Sequence, residues 1–299
     1  MEKTSTKLRR LIKTDGLIYL PAVFDALGAR LVQSLGYKTV YNGGFITGGS
    51  KAVSEPLLTM DEQVRFSGEI AAAVNIPCVA DAGAGFGEPL HVMRTVREFI
   101  RAGVAGIHLE DQLYPKRAHY HKYVAHAIDR SDFIDKIKFA CIERDHIDPD
   151  FVIIARSDTC RFAGLDEAVE RLNMAADVGA DMGMFFPTNQ SELEQGPKRS
   201  RLPLVYVASW GNRDGRPLPS AKQLEDMGYK MCIDPNSYLL SAVHFAKKAL
   251  QERLEIGTFT MMTPQECVDA RQLVEDLIGL NEFYEIEEQT VEKKKWGKR

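Results

Sequence analysis

Two acids close short apolar runs in this chain: Asp81 ends "PCVAD" and Glu110 ends "AGIHLE". Carboxylates at the mouths of two neighbouring strands can converge on one hard divalent cation, with water filling its other positions as magnesium prefers. The alternative is that each acid caps a helix or pairs with Lys116, Arg117 or Arg156. The turn "DAGAGFGEP", which begins at Asp81, favours the ligand reading, because a glycine-rich backbone can come close to a bound group. Beyond Glu110 the chain continues as "DQLYPKRAHYHKY", so an acid pair, Glu110 and Asp111, is followed by a basic stretch with the character of a mobile loop over a site.

For the two acids to meet, the runs that carry them must be adjacent strands. Short apolar runs recur along the chain, each followed by a polar loop and a segment of helical periodicity, the pattern of repeated βα units and a parallel sheet. The candidate strands are "LIYLPA" (17–22), "KTVYNG" (38–43), "PCVADA" (77–82), "AGIHLED" (105–111), "FVIIARSD" (151–158), "DMGMFFP" (181–187), "PLVYVAS" (203–209) and "KMCIDP" (230–235). Eight fits a closed (β/α)8 TIM-type barrel, an α/β fold. Reacting groups in such barrels sit at the C-terminal ends of strands. That rule selects Tyr41 to Gly44, Asp81, Glu110, Asp111, Arg156, Ser157, Asp158, Thr188, Asn189, Ser209 and Asp234.

The segments between the strands read as helices. "TMDEQVRFSGEIAAAVN" opens with a Thr able to cap free backbone N–H groups and has acids in its first turn; "GLDEAVERLNMAADVGA" and "NSYLLSAVHFAKKALQERL" have the same apolar spacing. Gly36, Gly103 and Gly179 stand where helices end in a left-handed residue. The barrel is expected over 1–256. The amphipathic tail over 257–299, with "TPQECVDARQLVEDLIGLNEFYEIEEQ", lies outside the eightfold count, and its apolar face is suited to a neighbouring subunit.

At 299 residues with 44% hydrophobic side chains the chain can bury a large core. A net charge of −4 with interspersed signs gives no nucleic-acid footprint, so small molecules are the expected partners. Five scattered cysteines without CxxC spacing argue against a disulfide framework and a structural zinc site. No apolar run is long enough to span a membrane, and the opening "MEKTSTKLRRLIKTDG" is too polar for a secretion signal, which gives a cytoplasmic expectation. Four other features have modest readings: His108 as a satisfied packing histidine, Cys160 as an apolar filler, Trp210 as a pocket-mouth or subunit-contact residue, and "QGPKRSR" as a solvated loop.

"DAGAGFG", "GIHLEDQLYPKR", "DPDFVIIARSD", "GLDEAVERLNMAADVGAD" and "LNEFYEIEE" together resemble the isocitrate lyase and phosphoenolpyruvate mutase superfamily, and look most like its methylisocitrate lyase and dimethylmalate lyase branch. The resemblance runs from "LPAVFDALGARLVQSLGYKTVY" to the C-terminal helices. It implies a magnesium-dependent enzyme, with manganese as the alternative, acting on a small carboxylate, and a homo-oligomer, dimer or tetramer. The family's Tyr-x-Ser-Gly-Gly loop, which holds the substrate's 2-oxo acid carboxylate, matches Tyr41, Gly43 and Gly44, with Gly43 in place of Ser. Its Asp-x-Asp metal motif matches Asp81-Ala82-Gly83, so the first acid is kept and the second lost; its Glu-Asp pair matches Glu110 and Asp111. Arg156 matches the Arg of the fifth strand, whose planar fork can grip a carboxylate or an enolate oxygen.

In the lyase branch the mobile loop reads Lys-Arg-Cys-Gly-His, and the Cys moves the proton on the nascent enolate carbon. Here it reads Lys116-Arg117-Ala118-His119-Tyr120-His121. Alanine carries no proton, so another loop group serves or the ordinary lyase reaction is not run. His119 and His121 are the substitutes, ahead of Tyr120, since the ordinary pKa of His suits proton traffic near neutrality; the alternative is that they are surface or packing groups. Thr188 stands where the lyases carry Glu, and the position of their Asn after the seventh strand falls near Val207 or Ala208, beside Ser209. The resulting expectation is a carbon–carbon lyase acting through an enolate on a 2-oxo or 2-hydroxy dicarboxylate. Asp81 and Glu110 hold the metal, Arg156, His119, His121, Lys116 and Arg117 do the chemistry, and Tyr41, Gly43, Gly44, Asp81, Arg156, Thr188 and Ser209 contact substrate. Two other readings stand beside it: an oxaloacetate-type decarboxylase or hydrolase, and a barrel that has lost turnover and serves in binding or assembly.

Overall fold

The computed structural model describes residues 2–14, 16–118 and 122–294. All eight expected strands form: β1 Ile18–Pro21, β2 Val40–Asn42, β3 Cys78–Asp81, β4 Gly106–Glu110, β5 Val152–Ser157, β6 Met182–Phe185, β7 Leu204–Val207 and β8 Met231–Asp234. They pair in parallel in the order β1-β8-β7-β6-β5-β4-β3-β2. A parallel bridge between Ala22 and Tyr41 joins the two end strands and completes a (β/α)8 barrel.

Among the described residues twelve α-helices accompany them. The first six are α1 Thr4–Lys13, α2 Ala26–Ser34, α3 Gly44–Ser50, α4 Met60–Ala72, α5 Pro89–Arg101 and α6 Arg130–Ile147. The others are α7 Cys160–Asp177, α8 Gln190–Arg199, α9 Ala221–Met227, α10 Ser237–Ile256, α11 Pro264–Ile278 and α12 Leu280–Gln289. Thr59 caps the start of α4 as expected and does so in a capping box with Glu62, and Gly36, Gly103 and Gly179 all take positive φ after their helices. By contacts the chain divides into two compact units, Met1–Leu239 and Leu240–Arg299. None of the described helices is long and apolar enough to cross a membrane.

Strand periodicity builds the site. Successive side chains on a strand point to opposite faces, and here one face lines the barrel interior while the other packs under the helices. The interior set includes Leu20, Val79, Ile154, Met184, Val205 and Ile233, whereas Phe99, Phe133, Ile153 and Phe185 lie between sheet and helices. Two residues beyond Val79 comes Asp81, and two beyond Ile154 comes Arg156. The ladder then places Asp81 against His108 and Glu110 against Arg156. Inward-facing rim positions of β3, β4 and β5 therefore hold an acid, a His with an acid, and an Arg.

Two segments differ from the sequence reading. The polar opening is a helix: α1 buries Leu8 in the interior cluster, beside the first residue of β4, and so covers the N-terminal end of the barrel. "QGPKRSR" is not a solvated loop over most of its length, because α8 runs on to Arg199 through Pro197. Pro197 cannot donate to the Leu193 carbonyl, and the Tyr229 hydroxyl donates there instead at 3.1 Å.

Candidate active site

Lys116 lies at the centre of the polar half of the barrel mouth. Its ammonium pairs with Glu55 and with Glu110, 3.0 Å from Glu110 Oε1, and its side chain is almost fully buried. Its hydrogen bond to Glu110 goes to Oε2 at 3.3 Å, so Oε1 is left without a hydrogen-bond donor. Arg156 reaches the same carboxylate, with Nη1 3.0 Å from Oε2. A fork from Asp158 holds Arg156 from behind, at 2.9 Å to Nε and 3.0 Å to Nη2, and Gln112 donates to Asp158 in turn. Arg156 also stands over the Phe186 ring, 4.7 Å from its centroid.

Asp81 is positioned by backbone. Gly44 N–H donates to its Oδ2 at 3.1 Å and Gly83 N–H to its Oδ1 at 2.8 Å. His108 Nδ1 lies 3.6 Å from Oδ1, and His108 Nε2 is 2.7 Å from the Tyr41 hydroxyl. Burial drives His108 down to about 4, so the ring is neutral at pH 7. The sequence reading of His108 as a packing histidine therefore needs correction: it shares a face with Glu110 and links two rim residues.

The electrostatics follow from burying more charge than is locally neutralised. Burial pushes Glu110 up to about 7 in spite of Arg156 and Lys116. Burial acts on Asp81 in the same sense, but His108, Lys116 and Arg156 outweigh it and hold the carboxyl well below its ordinary value. For Lys116, desolvation is overcome by Glu110, Glu55 and Asp81, which keep it an ammonium at any physiological pH. Lys116 is thus a fixed positive charge and no proton acceptor.

Asp81 and Lys116 border a cavity of about 30 Å³ together with Gly44, Glu55, Gly83 and Phe86, among others. No group of three or more potential metal-ligating side chains is preassembled among the described residues. The donor set nevertheless fits magnesium, an ion that keeps several waters and needs only one or two carboxylates. Glu55 and Glu110 pair with the Lys116 ammonium and Glu110 also with Arg156, the pairing that the sequence left open as the alternative to a metal site, while Asp81 stands on the same rim with open space beside it at Gly83.

Of the residues selected from sequence, Tyr41, Gly44, Asp81, Glu110, Lys116 and Arg156 come together here. Gly43 lies under the Tyr41 ring: a Cβ there would stand 2.8 Å from Tyr41 Cε1, which is a steric reason for Gly at the family's Ser position. Thr188 gives both its amide and its hydroxyl to Glu192, at 2.6 and 2.8 Å, and Cys160 donates to the same oxygen. Ser209 is in the turn after β7, its carbonyl accepting from Asn212. Arg117 is exposed. His119 and His121 lie outside the described residues. Asp111 faces away from the mouth, bracketed by Ser157, the Asp158 amide and Arg171. Glu55 was missed because it follows no strand; it sits in the 3-10 turn Glu55–Leu57, against Gly44, where an added Cβ would stand 2.7 Å from its Cγ. The signal for it was an acid beside Pro56, just after a glycine-rich segment.

The family model for phosphoenolpyruvate phosphomutase matches residues 8–254. The chain is 33% identical to a 2,3-dimethylmalate lyase of Eubacterium barkeri over 290 residues, covering 95% of this chain and 97% of that protein. It is 31% identical to a 2-methylisocitrate lyase of Aeropyrum pernix, covering 96% and 88% of the two chains. Among solved structures, an oxaloacetate acetylhydrolase in complex with 3,3-difluorooxaloacetate superposes with a TM-score of 0.88 at 29% identity, covering 97% of this chain and 98% of that one. A barrel with its acids and arginine on the C-terminal rim, together with a family match over most of its length, places this chain in the phosphoenolpyruvate mutase and isocitrate lyase superfamily of enzymes.

Proposed function

We propose that this protein is a magnesium-dependent carbon–carbon lyase that acts on a small 2-oxo or 2-hydroxy dicarboxylate through an enolate. The observation that carries the reading is the pairing of Glu55 and Glu110 with the buried Lys116 ammonium beside Arg156, with Asp81 on the adjacent strand end of the same rim. Asp81 and Glu110 would hold Mg2+, with Mn2+ as the alternative, and the ion when bound supplies Lewis-acid polarisation of the 2-oxo oxygen. Tyr41 and the backbone of Gly43 and Gly44 seat the adjacent carboxylate. The guanidinium of Arg156 and the ammonium of Lys116 stabilise the developing oxyanion, charge that costs nothing to reorganise because Asp158 and Glu55 already fix it. The 116–123 loop closes to exclude water, and His119 or His121 delivers the proton to carbon in place of the family's Cys. The dimethylmalate and methylisocitrate lyase relatives support this substrate class.

A second reading, hydrolysis or decarboxylation of an oxaloacetate-like acid, draws support from Ala118, which leaves the loop without its thiol, and from the oxaloacetate acetylhydrolase likeness. Product analysis separates the two: a carbonyl and a carboxylate fragment for the lyase, oxalate or carbon dioxide for the rival. Chelation should abolish turnover and magnesium should restore it, while turnover undiminished in a metal-free preparation would refute both readings. We further propose a cytoplasmic homo-oligomer, dimer or tetramer, whose C-terminal helices pack between copies.

A further inference from the structure

A second arginine overlooks the mouth from the connection between β7 and α9. Residues 209–216, "SWGNRDGR", fold into a compact loop tied by one side chain. Asn212 Nδ2 donates to the carbonyls of Ser209 at 3.0 Å and Arg216 at 3.4 Å, and Asn212 Oδ1 accepts from the Arg216 amide at 3.1 Å. On the other side of Arg216 the Tyr206 hydroxyl donates to the Pro217 carbonyl. The backbone of Arg216 is thus held from two directions, and its side chain has a defined origin.

That side chain stacks on Phe186, its guanidinium carbon 5.1 Å from the ring centroid, and this is the ring over which Arg156 stands. Phe186 packs on the interior cluster just beyond β6. Whichever faces of the ring they occupy, the two guanidinium carbons are no more than about 10 Å apart. Their hydrogen bonding differs. Every nitrogen of Arg156 faces a buried acid, Asp158 or Glu110. Arg216 gives Nε to Asp214 at 3.2 Å, a carboxylate that Arg161 also approaches at 3.5 Å. Among the described residues its two terminal nitrogens make no hydrogen bond, although the side chain is only 12% exposed. These two nitrogens remain open to the solvent side of the site, and the group that takes both with parallel bonds is a carboxylate.

We propose that Arg216 grips the distal carboxylate of the substrate, the one remote from the reacting carbonyl, and thereby selects dicarboxylates over monocarboxylates. This rests on the reading above, in which the first carboxylate and the 2-oxo or 2-hydroxy group lie on the Tyr41, Asp81 and Arg156 side. Phe186 is the spacer between the two ends.

The test is calorimetry of the full chain in magnesium with three probes: oxalate, which fills only the reacting end; lactate, a 2-hydroxy monocarboxylate; and malate, which adds a distal carboxylate to the same unit. The wild-type protein is expected to bind malate more tightly than lactate. Arg216→Met keeps the stem on Phe186 and should weaken malate roughly 10- to 100-fold, the range for a lost charge-assisted pair, while oxalate and lactate stay within about twofold. Arg216→Lys, which keeps the charge without the fork, should fall between. If Arg216→Met weakens all three probes alike or leaves malate unchanged, the assignment is wrong while the reacting end stands. If the wild-type protein does not bind oxalate at all, the assignment and the reading beneath it fall together.

Discussion

At the scale of single residues, the loss of the second metal-motif acid at Gly83 is the departure with the clearest consequence. Nothing lies within 4 Å of a Cβ built there, and its φ of +51° is one that Asp and Asn tolerate better than other side chains. Gly83→Asp is therefore expected to fold and to raise magnesium affinity about tenfold, the lower end for restoring a metal-site partner; titration calorimetry reads it directly. Glu110 gives a prediction in pH. Its carboxyl ordinarily titrates near 4.5 and here is pushed up to about 7 by burial, so between those values the folded chain holds a proton that the unfolded chain has lost. The site's contribution to stability consequently declines as pH rises from about 4.5 to about 7. A divalent ion needs the ionised carboxylate, so its affinity should climb by roughly tenfold per pH unit over the lower part of this window, flatten as pH approaches 7 and level off above it. Manganese titrations at pH 5.5, 6.5 and 8 in wild type and Glu110→Gln check this, since the variant should lack the slope. Asp81, Glu110 and Arg156 were legible in the sequence because a strand end announces itself by composition. Glu55 and His108 were not: one depends on a turn folding back over α3, and the other on which face of β4 looks inward.

At the scale of elements, strands were easier to read than the segments that cover them. Runs such as "FVIIARSD" and "PLVYVAS" are apolar on both faces because both are buried, and this burial survives any rearrangement of loops. α1 escaped notice because its apolar face is short, Leu8 with Leu11 and Ile12, and stands among basic and hydroxyl side chains. "QGPKRSR" read as a solvated loop, yet α8 runs through Pro197, where Tyr229 supplies the donor that proline lacks. That compensation makes a prediction far from the chemistry. Tyr229→Phe leaves the Leu193 carbonyl without this partner in a buried setting and should destabilise the barrel by about 1 to 3 kcal/mol. A thermal midpoint lowered by several degrees, with kinetic constants unchanged, is the expected result; an unchanged midpoint would mean that water or a shifted α8 satisfies the carbonyl equally well. The 116–123 loop belongs to this scale too. Ala118→Cys returns the family's thiol, and if the lyase reading is right, turnover on a cleavable dicarboxylate should rise, whereas a hydrolase should gain nothing.

At the scale of the whole molecule, the unit Leu240–Arg299 poses the question of what covers its apolar side chains. Neither α11 nor α12 has a buried residue, and α10 has none either. Val243, Ala246, Leu250 and Leu254 recur at helical spacing along one side of α10 and line a shallow apolar groove, with Leu250 69% and Leu254 87% exposed. Burying such a side chain is worth about 1.5 to 3 kcal/mol, so a stripe of them exposed to water represents a substantial driving force for association. A second copy of the chain is the partner expected from the family resemblance, and symmetry would bury the stripe twice over. Wild-type protein at micromolar concentration should therefore sediment as a dimer or tetramer of the 33.5 kDa chain. Replacing Leu250 and Leu254 together by Asp puts two charges into a dry contact and should shift the population toward smaller species, without loss of helical content if the helix itself remains. A wild-type chain that sediments as a monomer over the same range would show that the stripe serves some other contact.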